Sequence, residues 1–240
     1  MSSITDNVRR VRDEIAEAAL RAGRRPEEIF LVAASKTKDA DAVREAVEAG
    51  VDACGENRVN EFLEKDALGA YDGAPKHFIG RLQHNKVRQI TGRVDLIQSV
   101  DSLELLEMLE KRAALLDTVQ PILLQVNIGR EETKGGFLPE AAEEAVARAA
   151  SLPHLRPEGL MAIPPAWEKT AGTWPGAKKY PYFDEMYQLY IDIRGKKYDN
   201  TQIWCLSMGM SGDFAQAIVS GANMVRVGSA IFGARTALQP

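Results

Sequence analysis

The sequence predicts an α/β fold: a single (β/α)8 barrel of the TIM type with an extra amino-terminal helix, forming one domain over residues 1–240. Three observations predict it. Eight short apolar runs alternate with stretches of helical periodicity, which indicates parallel strands joined by helices. A length of 240 residues suits one undivided barrel. An open sheet remains the structural alternative, but the first strand lacks the G-x-G-x-x-G turn of a dinucleotide-binding open sheet, which argues against that fold.

The eight candidate strands are rich in apolar and β-branched residues and span 29–35, 51–54, 77–80, 94–99, 121–128, 157–163, 202–206 and 223–227. Apolar residues three and four positions apart predict helices between them, at 40–48, 59–68, 86–91, 103–116, 139–150, 183–194 and 214–219. The same spacing relates Ile4, Val8, Val11 and Ile15, which predicts an amphipathic helix before the first strand.

Composition and charge argue against several classes of function. The formal net charge of -4 gives no overall attraction to nucleic acid or to an anionic membrane. No stretch is long and apolar enough to cross a bilayer, and acidic residues interrupt the arginine-rich start, unlike a transit peptide; we therefore expect a cytoplasmic protein. Cys54 and Cys205 are expected to be buried free thiols, and the scattered histidines predict no metal site.

One long connection interrupts the alternation of strands and helices. Residues 164–180 contain several prolines and glycines together with Trp167 and Trp174, and they follow a strand on the expected functional face. Two interpretations remain open: a lid over the site, or a surface insertion whose aromatic rings hold the loop down.

A lysine follows the first predicted strand directly. In a barrel the carboxyl ends of the strands form the functional face, so Lys36 is expected at the mouth. A lysine against apolar walls is more readily neutral and therefore nucleophilic toward an aldehyde, which is the chemistry of a Schiff base. The alternative is a solvated lysine, which is what we expect for Lys38 two residues later.

An arginine lies within the eighth predicted strand. The period of two puts Val225 and Val227 on one face, toward the outer helices, and Arg226 on the other, inside the barrel. A permanent cation there needs a polar or anionic partner, which implies a ligand.

Two turns of small residues follow the last two strands. Gly228 and Ser229 open a short helix predicted at 230–234, and residues 207–213 (SMGMSGD), which include Met210 and Ser211, precede another helix. Barrels commonly bind a phosphate at these two loops, where helix amino ends supply N–H groups. Ordinary helix capping by Ser211, Asp213 or Ser229 is the competing explanation.

Taken together, the motifs resemble the pyridoxal phosphate homeostasis protein family. The resemblance spans almost the whole chain and rests on long motifs in the family's order: SKTK at 35–38, GEN at 55–57, HFIG at 77–80 continuing through LQ at 82–83 to NK at 85–86, GLM at 159–161, SMGMSGD at 207–213, and VRVG at 225–228 through IFG at 231–233.

This resemblance implies that the chain binds pyridoxal 5′-phosphate (PLP) and takes part in its intracellular homeostasis. It implies that Lys36 forms the Schiff base, that Ser211, Gly228 and Ser229 hold the phosphate, and that Arg226 approaches the pyridine nitrogen. Asn57 and Met210 are expected in the same cofactor pocket. The implied partners are PLP itself and apo forms of PLP-dependent enzymes, and we expect a monomer.

Two other functions remain open at this stage. The chain also resembles the barrel domain of alanine racemases and related decarboxylases, which carry an additional β domain; in the racemases that domain supplies a tyrosine as second acid/base. The sequence ends at Pro240 after the eighth βα unit, so we expect little or no catalysis. A Schiff-base aldolase without cofactor would use Lys36 but leaves Arg226 and the phosphate loops unexplained.

Overall fold

The computed structural model describes residues 3–165 and 180–233. Their eight strands are all parallel and close into a barrel in the order β1 to β8. The strands are β1 Phe30–Ala34, β2 Ala53–Glu56, β3 Lys76–Phe78, β4 Leu96–Val100, β5 Gln120–Val126, β6 Leu155–Ala162, β7 Cys205–Ser207 and β8 Met224–Val227. The predicted TIM barrel is therefore confirmed, and the open sheet is excluded because β8 pairs with β1.

Helices within the described residues surround this barrel. They are α1 Ile4–Arg21, α2 Ala40–Glu48, α3 Val59–Ala67, α4 Val87–Ile90, α5 Leu103–Leu115, α6 Ala142–Ala150, α7 Pro181–Gly195, α8 Phe214–Val219 and α9 Ser229–Phe232. Short 3-10 turns occur at Pro26–Glu28, His84–Lys86 and Pro139–Ala141. None of the helices in these two ranges combines the length and the apolar composition needed to cross a membrane.

The strand period of two sorts side chains into two layers. One face of each strand packs under the helices, as Val225 and Val227 do in the main apolar cluster. The opposite faces fill the barrel interior with a smaller cluster: Val32, Ala53, Leu96, Leu123, Met161, Cys205 and Met224. The interior is thus a packed core, and a ligand held by the barrel strands would lie near their ends.

The extra helix α1 is also confirmed. Ser3 caps it by accepting the N–H of Asp6 at 3.0 Å, and the predicted stripe of Val8, Val11 and Ile15 is buried. Each of these side chains contributes about 1.5–3 kcal/mol through burial. Asn7 donates to the carbonyl of Ile231 at 2.8 Å, so α1 is tied to the end of the last βα unit.

Several predicted boundaries shift. The second strand is predicted at 51–54, but the N–H of Val51 still bonds to the carbonyl of Ala46 in α2. The strand extends to Glu56 because the backbone of Glu56 pairs with Phe78 of β3. The seventh begins only at Cys205. The helix predicted at 86–91 is divided into a 3-10 turn and α4. The short final helix is Ser229–Phe232 rather than 230–234; Ala234 and the loop segment 166–179, with Trp167 and Trp174, lie outside the described residues.

Both cysteines are buried free thiols, as predicted. Burial raises the pKa of Cys54 to about 12, so this thiol is not a nucleophile at neutral pH.

Candidate ligand site at the carboxyl ends of the strands

A cavity of about 300 Å³ opens where β1, β7 and β8 end. Six of the seven predicted site residues line it: Lys36, Met210, Ser211, Arg226, Gly228 and Ser229. The seventh, Asn57, does not line this cavity; it borders a neighbouring one of about 480 Å³ together with Arg58, Arg81 and Lys86. The segments of the sequence that carry these six residues therefore converge on one site.

Lys36 follows β1 in a tight turn. The next residue, Thr37, has a φ of 65°, and the N–H of Lys38 bonds back to the carbonyl of Ser35 at 3.1 Å. The expectation that Lys38 is merely solvated is wrong: its ammonium donates to the carbonyl of Phe232 at 2.9 Å and is partly buried. Lys38 thus ties the turn of Lys36 to the end of α9.

Arg226 points into the barrel, as the strand period predicts, and is 4% exposed. Its guanidinium donates to Ser207 Oγ at 2.6 Å and to the carbonyl of Ala162 at 2.9 Å. Burial lowers the pKa of Arg226 to about 10, and the negative charge of the Asp213 carboxylate opposes that shift. The side chain therefore remains a cation at neutral pH and keeps a fixed direction at the floor of the cavity.

Sequence reasoning assigned no role to the residues that orient Arg226. Ser207 Oγ donates to Gln98 Oε1 at 2.7 Å, and Gln98 Nε2 donates to His77 Nδ1 at 2.9 Å. This chain of hydrogen bonds crosses the barrel interior and fixes each side chain in one orientation. A glutamine at an inward position of the apolar fourth strand was the signal that could have revealed it.

The loop between β7 and α8 is folded onto β8. Gly209 has a φ of 94°, and a Cβ there would lie 2.6 Å from that of Ala217, so only glycine fits. The carbonyl of Gly209 accepts the N–H of Arg226 at 3.0 Å. Within the loop, Asp213 accepts the N–H of Met210 at 2.6 Å and does not cap α8.

Ser211 joins the two small-residue loops. Its hydroxyl oxygen accepts the N–H of Gly228 at 3.1 Å and that of Ala230 at 3.3 Å. Ser211 therefore does act as a capping residue, but it caps α9, which follows the other loop, rather than its own helix α8. Because a hydroxyl accepts two hydrogen bonds and donates one, Ser211 retains an O–H donor for an anion in the cavity.

The lining is electropositive. Its ionisable side chains among the described residues are Lys36, Lys38 and Arg226, all cationic types. Gly228 approaches β1 so closely that a Cβ would lie 3.1 Å from the carbonyl of Ala34. Small residues, a serine hydroxyl and three cations suit a small anion that also carries an aldehyde or ketone for the lysine. No group of three or more potential metal-ligating side chains occurs within 3–165 and 180–233.

Comparison with known proteins identifies the family. Residues 2–236 match the family described as alanine racemase, N-terminal domain. The pyridoxal phosphate homeostasis protein of Aquifex aeolicus is 42% identical over 231 residues, which cover 96% of this chain and 97% of that relative. The chain belongs to the pyridoxal phosphate homeostasis protein family. Its member from Escherichia coli K12 is 41% identical, with 98% of each chain covered. The family predicted from the sequence motifs is thereby confirmed.

Solved structures of other proteins share the fold. PipY of Synechococcus elongatus, a structure with PLP bound, is 32% identical and aligns with a TM-score of 0.75 over 91% of this chain and 100% of that one. An alanine racemase of Clostridium difficile is 20% identical with a TM-score of 0.69, and the match covers 97% of this chain but 58% of the racemase. At that identity the racemase shows a shared barrel only.

Proposed function

We propose that this chain binds PLP covalently through Lys36 and serves in PLP homeostasis as a carrier, buffer or regulator, with little or no catalysis of its own. The observation that carries the proposal is the convergence of Lys36, Arg226 and the Ser211-linked loops on one cavity. Its relatives are named for PLP homeostasis, and one solved relative holds PLP. We further propose a cytoplasmic monomer built as a single domain.

The lining residues divide the binding task. When bound, PLP supplies an aldehyde that condenses with an amine to form a Schiff base, and Lys36 is the amine at the mouth of β1. Ser211, Gly228 and Ser229 are the residues proposed to hold the phosphate. Ser211 would donate its remaining O–H and Ser229 its hydroxyl and N–H, whereas the N–H of Gly228 would first have to leave Ser211 Oγ, to which it donates here. Met210 borders the opening.

Arg226 is proposed to face the pyridine nitrogen. Its cation is already held by Ser207 and by the carbonyl of Ala162, so it would enter the complex without reorganisation. A permanent cation beside that nitrogen disfavours its protonation and weakens the ring as an electron sink. Asn57 lines the neighbouring cavity and remains a proposed cofactor-pocket residue, which would require the ligand to reach that cavity.

Among the described lining residues we find no clear candidate for a second acid/base of the kind that a racemase uses. Racemisation needs a second acid/base on the face of the substrate opposite the lysine. The described lining offers Lys38 besides Lys36 and Arg226, and Lys38 belongs to the same turn as Lys36 and donates to Phe232. Condensation of the Lys36 amine with the PLP aldehyde, with loss of water, and the reverse hydrolysis that would release PLP need no second acid/base on the opposite face. The proposed partners are therefore PLP and the apo-enzymes that receive it.

The proposal is tested with purified protein loaded with PLP. Incubation with an apo-form of a PLP-dependent enzyme should restore that enzyme's activity, and an unloaded sample is the control. The same loaded protein should leave common L-amino acids unracemised when products are separated on a chiral column. Racemisation at about 1 per second or faster, lost in Lys36→Ala, would instead support the small racemase.

A further inference from the structure

A buried polar cluster lies directly behind the turn that carries Lys36. The hydroxyl of Ser35 donates to Glu56 Oε1 at 2.6 Å, and the Lys65 ammonium donates to the same oxygen at 2.5 Å and to the carbonyl of Ser35 at 2.8 Å. Tyr71 donates to Glu56 Oε1 at 3.3 Å. Both the side chain and the carbonyl of the residue before Lys36 are therefore anchored.

The ion pair in this cluster adds little to the free energy of unfolding. The side chains of Glu56 and Lys65 are 1% and 7% exposed, and desolvating two charges offsets most of their attraction. Glu56 Oε2 is buried without a hydrogen-bond partner within the described residues. What such a pair supplies is a unique geometry, here for the end of β1.

The residue after Lys36 is held from the same helix. Thr37 is a β-branched residue in the left-handed region, with a φ of 65°, a conformation that costs about 1–3 kcal/mol and persists only when its surroundings enforce it. Its N–H donates to Glu61 Oε2 at 2.7 Å. Glu61 is itself oriented by Arg58 at 3.1 Å, and its side chain is 20% exposed.

Glu61 and Lys65 are four residues apart on α3 and so lie on one face of that helix. Through them α3 holds Ser35 and Thr37, the two residues that flank Lys36. We propose that α3, together with Glu56, positions Lys36 for covalent attachment of PLP, with Glu61 as the positioning residue that maintains the strained turn. This inference rests on the proposed function, because it concerns the same lysine.

Loss of the Glu61 carboxylate should let Thr37 relax to an ordinary conformation and turn the Lys36 side chain away from the cavity. Within the described residues the hydrogen bonds and ion pairs of Glu61 go to Thr37 and Arg58 and not to the loops after β7 and β8, so those loops should still bind the phosphate. The positioning role therefore predicts a loss specific to ligands that form the covalent bond.

Glu61→Ala is the test variant, and Glu64→Ala is its matched control, because Glu64 is an exposed residue of the same helix. Each is titrated with PLP and with pyridoxine 5′-phosphate, which has the phosphate but no aldehyde. Glu61→Ala should weaken PLP binding about tenfold (about 1.4 kcal/mol) while the analogue changes less than about twofold. Its Schiff-base absorbance band should also form more slowly. Glu64→Ala should match the original protein on both ligands.

Rescue provides a second readout. Glycine adopts a positive φ without strain, so adding Thr37→Gly to Glu61→Ala should recover part of the lost PLP affinity. Glu61 is preferred to Glu56 or Lys65 as the test site, because removal of one member of a buried pair leaves an uncompensated charge and destabilises the fold.

The outcomes are distinct. An unchanged PLP affinity in Glu61→Ala, or an equal loss for PLP and the analogue, would overturn the positioning role. The proposed function is judged separately on Lys36→Ala: if that variant binds PLP as tightly as the original protein does, the attachment at Lys36 is wrong, whatever Glu61→Ala shows.

Discussion

Arg226 keeps its charge inside the barrel because two acceptors are in place for its guanidinium. Ser207 and the carbonyl of Ala162 receive its N–H groups, and Gln98 in turn fixes the Ser207 hydroxyl. Alanine at Ser207 would leave part of a buried cation unpaired, so the serine is as much a part of the site as the arginine.

His77 ends this chain of hydrogen bonds at the opposite side of the interior. Its ring stacks on Phe30 at 5.8 Å and accepts from Gln98, and it is 5% exposed. Burial lowers the pKa of His77 to about 4, with a smaller opposing effect from Asp95. The imidazole is therefore neutral in the folded protein under ordinary conditions.

This burial predicts a pH dependence of stability. Below the ordinary histidine pKa of about 6.5 the unfolded chain takes up a proton that folded His77 refuses until about pH 4, so unfolding becomes easier as pH falls through that window. The loss of unfolding free energy that His77 causes is absent above pH 6.5 and approaches about 3 kcal/mol near pH 4. The free energy of unfolding, measured with urea at several pH values between 7 and 4, should fall less steeply with pH in His77→Gln than in the original protein. An identical slope, with exposed His84→Gln as control, would contradict this assignment.

At the scale of elements, the site depends on two loops being joined to each other. The loop from β7 to α8 reaches β8 through Gly209, and Ser211 accepts N–H groups from the start of α9. A phosphate binding there would meet donors from both loops at once, and several charge-assisted hydrogen bonds acting together on a dianion give strong binding.

Ser211→Ala should therefore weaken PLP binding by about 1.5–3 kcal/mol, tenfold or more. Pyridoxal, which lacks the phosphate, should be affected far less, since the lost hydroxyl serves only the phosphate end. Ser220→Ala is the matched control: Ser220 follows α8 at its far end and donates to Asp184 at 2.8 Å. Fluorescence titration with both ligands measures the effect. Equal losses for PLP and pyridoxal would show that Ser211 acts only on the fold.

Features that depend on local geometry could be predicted from the sequence, whereas contacts between distant residues could not. The inward direction of Arg226 follows from a two-residue period, and the α1 stripe follows from helical spacing; both depend on local geometry. The anchoring of Lys38 on Phe232, and the reach of Ser211 to Gly228, join residues far apart in sequence, and no local pattern contains them. The predicted end of the second strand was wrong for a related reason, because Glu56 belongs to β2 through its pairing with Phe78 of β3, a residue distant in sequence.

The whole molecule is a closed barrel with a filled interior, so a ligand held by the strands must lie at one of their two ends. Another cavity, of about 440 Å³, lies at the amino ends, where His77 and Glu158 are among its lining residues. The carboxyl-end cavity is the smaller of these two, but it alone combines a lysine at a strand end with Arg226 and the two joined loops. We therefore assign the ligand site to the carboxyl-end cavity on the chemistry of its lining residues and not on its volume.

Covalent attachment of PLP at Lys36 is the central claim, and borohydride reduction tests it most directly. Protein incubated with PLP is reduced, digested and mapped by mass spectrometry, with Lys36→Ala treated in parallel. We predict a phosphopyridoxyl adduct on Lys36 at about one per chain, absent from the variant. An adduct found mainly on Lys38 or Lys134, or retained in full by Lys36→Ala, would contradict it.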